Sequence, residues 1–152
     1  MTLSEVFQGL GRERFDAILR GVSMGSLKRY QVYETFKIRA RVTKLNREKL
    51  RAAASKLWAR LEEGEEELAR EIAQGALVSN INLVVDVLDF LGIEHDGNGF
   101  FDKDVSGEDE LSEGWQARAL AEFSERHPEP LLLLYINHLD FELGKPETVF
   151  VG

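Results

Sequence analysis

The stretch from Ala76 to Ile93 constrains this chain more than any other. It is strongly apolar, and Asn80, Asn82, Asp86 and Asp89 interrupt it. In a bilayer its two carboxylates would cost about 2.5–3.5 kcal/mol each or more. Burial inside a water-soluble protein is the lower-energy solution. At helical spacing Leu77, Ile81, Val84, Val85, Leu88 and Leu91 share one side, while Ser79, Asn82, Asp86 and Asp89 form a narrow opposite stripe. A helix apolar over so much of its circumference belongs at the centre of a bundle. The pattern extends upstream through Leu68 and Ile72 to the acidic turn Glu65–Glu67. One helix over that whole span would be about 40 Å long, with Gly75 as the expected bend or point of close approach.

The rest of the chain supplies layers around such a helix. Thr2 or Ser4 is placed to cap a first helix carrying Leu3, Val6, Phe7 and Leu10. Phe15, Ile18 and Leu19 give a second helix over Arg12–Arg20. A third is expected from Leu27 to Leu45, although Phe36–Val42 also alternates as a strand would. Asn46 can cap a fourth, with Leu50, Ala53, Ala54, Leu57, Trp58 and Leu61 on one face. Gly92 ends the apolar stretch, and residues 93–110 hold seven carboxylates punctuated by Gly97, Gly99 and Gly107. So long an irregular segment is unusual in a compact domain. Helical spacing resumes near Leu111 and stops at His127-Pro128. Leu131–Leu143 then reads as a final buried helix, and the apolar tail Thr148–Val151 is expected to dock. The expectation is an all-α fold: a compact bundle of six or seven helices around a central apolar helix, with one long acidic loop, in a single domain spanning residues 1–152.

Charge is divided along the chain. Residues 1–60 hold 14 Lys/Arg against five Asp/Glu, whereas residues 61–152 hold five against 22. The halves can neutralise each other by packing, or each can face its own partner. The overall net charge of −8 disfavours non-specific nucleic-acid binding. The basic segment 28–51 still offers an alternative. There Lys37, Arg41, Lys44, Arg47 and Arg51, with Tyr30 and Tyr33 interleaved, are the candidate contacts for phosphates or an acidic partner.

Catalytic patterns are sparse. The absence of cysteine removes thiolate metal sites, disulfides and cysteine nucleophiles. His95, His127 and His138 form no zinc-type spacing, although His138 and Glu142 share a helical face. Gly21-Val22-Ser23-Met24-Gly25 matches the bare G-x-S-x-G string, but no strand precedes it as a nucleophile elbow requires. Asp86 and Asp89 are expected to face solvent or basic residues of the first half.

One local pattern stands out. Asp102, Asp104 and Ser106, followed by Gly107, Glu110 and Glu113, have the spacing of a loop that aims alternate oxygens at one hard cation. These 12 residues resemble the calcium-binding loop of the EF-hand family. The resemblance implies ligands from Asp102, Asp104, Ser106, Glu110 and Glu113, and calcium as the cation. Asp109 replaces the apolar residue that such loops carry at that position, and Gly97 and Gly99 interrupt the helix that should lead in. The main expectation is therefore a non-catalytic helical module, acting through a protein partner or self-association. It needs no cofactor and no membrane. Nothing at the N-terminus resembles a secretory signal, which points to the cytoplasm. Nucleic-acid or anion binding through 28–51 and cation binding through 102–113 are the alternatives.

Overall fold

The computed structural model describes residues 2–20, 47–97, 111, 113–143 and 148–152. Seven helices lie among them, with no sheet: α1 (Leu3–Leu10), α2 (Arg12–Arg20), α3 (Arg47–Glu62), α4 (Glu66–Ser79), α5 (Ile81–Phe90), α6 (Trp115–Phe123) and α7 (Glu129–Glu142). The all-α bundle expected from periodicity is what the chain forms. The helix expected over 27–45, the proposed cap Asn46 and most of the acidic segment lie outside the described residues.

The helix termini follow local chemistry. Thr2 Oγ1 accepts the Glu5 backbone N–H at 3.2 Å and caps α1. A second cap comes from far along the chain. The Glu66 carboxylate, in the first turn of α4, accepts Leu3 N–H at 2.9 Å and Ser4 N–H at 3.1 Å. It satisfies two of the amides that α1 cannot pair internally, and its charge complements the helix dipole. At the other end, Gly92 adopts φ +71°, its N–H bonds to Asp89 C=O and Ile93 N–H bonds to Leu88 C=O. This is a Schellman stop, with buried Ile93 and Leu88 as the apolar contact that accompanies it.

The apolar stretch is not one helix. It breaks at Asn80, and α4 and α5 meet at 84°. Gly75 does not bend the chain but lies buried inside α4, leaving close approach as the reading of that glycine. The cause is side-chain competition for the carbonyls that a continuing helix would use. Ser79 Oγ donates to Gly75 C=O at 2.7 Å, and Asn80 Nδ2 donates to Ala76 C=O at 2.8 Å. Asn80 C=O then accepts Leu83 N–H to start α5.

The helix buried on all sides is α7. Leu131 to Ile136, Asn137 and Leu139 are all buried, and α7 packs against α1, α2, α4 and α6. The described core joins Phe7, Phe15, Leu57, Leu61, Leu68, Ile72, Leu83 and Leu88 to it. Phe7 and Phe15 meet edge-to-face at 5.7 Å, and Phe15 lies 5.3 Å from Trp58, tying α1, α2 and α3 together. Where α3 turns into α4, Arg60 Nε donates to Glu65 at 2.8 Å across Gly64. That hydrogen bond holds the Glu65 carboxyl below its ordinary range. Among the described residues no single helix is long and apolar enough to cross a membrane; the bent α4–α5 pair passes only by length and composition.

Candidate functional site

The chemistry-bearing groups that the structure describes cluster on α5 and α7. On α5, Asp86 and Asp89 each meet a histidine of the second half of the chain, and Asp89 also faces solvent as expected. His127, in the turn between α6 and α7, places Nε2 2.8 Å from Asp86 Oδ2. His95, just past α5, places Nε2 2.7 Å from Asp89 Oδ1, and its Nδ1 accepts Gly97 N–H at 3.0 Å. With Nδ1 accepting, Nε2 carries the proton that Asp89 receives. Both ring nitrogens are therefore engaged, and neither is open to a metal ion or a substrate proton. His95 borders a shallow surface hollow with Gly92, Ile93 and Glu94, so it is near solvent but chemically occupied. His127 lies against Phe123, at 6.0 Å between ring centres, and Arg126 sits 4.6 Å above the same Phe123 ring. Phe90 meets Phe123 edge-to-face at 5.6 Å, so the contact knits α5 to α6.

On α7, Tyr135, His138 and Glu142 follow one face. His138 Nδ1 is 3.5 Å from Glu142 Oε1, as the four-residue spacing anticipates. The Tyr135 and His138 rings are nearly parallel, at 18° and 6.4 Å between centres. The Tyr135 hydroxyl is buried and finds no hydrogen-bond partner among the described residues. Burial, and secondarily the charge of Glu142, push its ionisation above the ordinary phenol range. It is thus a neutral group at any physiological pH. Among the described residues, no three His, Asp or Glu side chains converge in a way that could hold a metal ion.

Of the residues singled out from sequence, Tyr30, Tyr33, Lys37, Arg41 and Lys44 lie outside the described residues, as do Asp102, Asp104, Ser106 and Glu110. Arg47 opens α3 and Arg51 lies in its first turns. Glu113 is exposed just before α6, and its backbone carbonyl accepts from Arg118 at 2.9 Å.

Two features escaped the sequence reading. His127 and Asp86 are 41 residues apart, and no local spacing could join them. Asn137 did leave a signal: it is a lone amide inside Leu131–Leu139 on a helix apolar all round. It is fully buried, and its side chain makes three hydrogen bonds. Nδ2 donates to Leu133 C=O at 2.7 Å and to Phe150 C=O at 2.8 Å; Oδ1 accepts Phe150 N–H at 2.8 Å. The amide side chain thus pairs with the tail backbone much as a neighbouring strand would, and the tail docks as its apolar sequence suggested.

Comparison with known protein families, with curated proteins and with solved structures finds no match for this chain.

Proposed function

We propose that the protein is a non-catalytic helical module that works through contacts with other macromolecules, a second copy of itself being the first partner to test. The observation that carries this reading is the state of the histidines. Each has a carboxylate within the fold, His95 has both nitrogens occupied, and the Tyr135 phenol is held neutral. Groups recruited for acid–base or metal chemistry are normally left a free valence facing a cleft. Large apolar side chains, by contrast, remain at the surface at the bend of the α4–α5 elbow, in Val78, and at the far end of α5, in Phe90. A cytoplasmic location agrees with a cysteine-free chain.

Sedimentation of the purified chain over a wide concentration range, together with crosslinking in its host cells, tests this reading. A discrete complex that Val78→Asp removes, with thermal unfolding unchanged, supports it. A chain that stays monomeric in solution and yields no crosslinked complex in cells refutes it.

A further inference from the structure

The tail at residues 148–152 meets the bundle as a ligand meets a receptor. Its contacts come from three helices: α7, which directly precedes it in the chain, and α1 and α6, which are distant in sequence. Asn137 of α7 takes both the N–H and the C=O of Phe150. Gly9 of α1 faces Val149: a Cβ built on Gly9 would lie 2.8 Å from Val149 Cβ and Cγ2 and 3.0 Å from Cγ1. Leu120 of α6 lies beside Gly152. Val149 and Phe150 are only partly buried, and Thr148, Val151 and Gly152 are exposed, so the tail rests on the bundle without being part of its interior.

The two principal contacts divide the work of recognition. A side-chain amide that pairs with a backbone N–H and C=O reads any extended chain, as strand addition does. A notch made by a missing Cβ reads one side chain, here a β-branched residue directly before the one that Asn137 holds. What each feature does for the bundle itself argues for that role. A glycine inside a helix is worse than alanine by roughly 0.5–1 kcal/mol. With no chain in the seat Asn137 would keep its bond to Leu133 C=O and exchange the two bonds to Phe150 for water, so the amide is matched to a docked backbone and not needed by α7 itself.

We infer that Gly9, Leu120 and Asn137 form a docking seat for an extended peptide segment carrying a β-branched residue followed by an aromatic one, with residues 148–152 as its intramolecular occupant. Because Phe150 returns to Asn137 only 13 residues away, the tail acts at a local concentration on the order of millimolar. A partner segment must displace it, so the tail sets a threshold for docking. The seat supplies the chemistry of a partner for the contact-making reading above. It is nevertheless tested on the isolated chain, and its failure would leave self-association through the exposed face at Val78 standing.

The test uses the full-length chain. Phe150→Pro removes the N–H that Asn137 accepts and opens the tail. A fluorescent peptide of sequence Lys-Pro-Glu-Thr-Val-Phe-Val-Gly is then titrated against parent and variant. The peptide is expected to bind the Phe150→Pro chain at least about tenfold more tightly than the parent, since the cis competitor is gone. Adding Gly9→Leu to that variant, or replacing the peptide's valine by lysine, should abolish binding. Equal binding to parent and variant, or none to either, overturns the inference. Amide hydrogen exchange on the parent chain gives an independent reading. A displaceable tail leaves the Phe150 amide at least about 100-fold less protected than those of Leu133 and Leu134. Equal protection means that the tail opens only with global unfolding, and the inference fails.

Discussion

Gly9→Ala places two opposing effects on one atom. In an unencumbered helix the change stabilises by up to about 0.5–1 kcal/mol; at the next-to-last position of α1 the lower figure applies. Here the new methyl would sit 2.8, 2.8 and 3.0 Å from three atoms of Val149. Carbon atoms at rest stay about 3.5–4.0 Å apart, so each contact is too close by roughly 0.5–1 Å. One of the three is Val149 Cβ itself, and the other two branch from it. No rotation about χ1 clears them all, so the tail backbone must shift. Overpacking of this kind costs about 1–3 kcal/mol. The upper limit is set by what the tail contributes when docked: a half-buried valine and the hydrogen bonds at Asn137, each worth about 0.5–1.5 kcal/mol. The net expectation is a destabilisation of about 1–2 kcal/mol. In a Val149→Gly background the obstacle is absent, and the same substitution should stabilise by about 0.5 kcal/mol. Urea unfolding of the four chains measures both values, read as midpoint shifts at constant m. The coupling energy should exceed about 1 kcal/mol. If Gly9→Ala raised the midpoint equally in both backgrounds, the contact between α1 and the tail would not exist as described.

Other substitutions probe the frame that holds these parts. Leu88→Ala, at a site with no exposure, should cost about 2–5 kcal/mol; a loss under 1 kcal/mol on calorimetry would mean that α5 is not packed on that side. Glu66→Ala strips the carboxylate from Leu3 N–H and Ser4 N–H, and should cost about 0.5–2 kcal/mol while speeding hydrogen exchange in the first turn of α1. Unchanged exchange there would remove the cross-chain cap. Tyr135→Phe deletes a buried hydroxyl that has no partner among the described residues, so stability should hold or rise by up to about 1 kcal/mol, and a clear loss would reveal a partner. The Tyr135 phenol also carries a pH signature. Its folded-state ionisation lies above the unfolded value, so the native state keeps its proton longer. Stability is therefore complete below the ordinary phenol range and falls as the pH rises through and beyond it. Tyr135→Phe should flatten that alkaline decline in a chemical-denaturation series.

Much of the architecture was written locally. The spacing of Phe15, Ile18 and Leu19, the Thr2 cap, the Gly92 stop and the leucine-rich run before Gly144 each act within a turn or two, and each appears where periodicity places it. The His138–Glu142 pair was legible for the same reason, since four residues on a helix are neighbours whatever else the chain does. The break at Asn80 was harder. Hydropathy favours one long helix through Ala76–Leu91, and only the geometry of Ser79 and Asn80 folding back on two carbonyls turns the chain.

Sequence by itself determined the class of fold and the positions of several described helix ends, because helix periodicity and capping operate over a few residues. Tertiary structure alone decided that α7 takes the centre, that Asp86 meets His127, that Glu66 caps α1, and that Asn137 and Gly9 together hold the tail. Those outcomes depend on which helices lie side by side. That is fixed by how the apolar faces of the whole chain close over one another, and no short window of residues contains it.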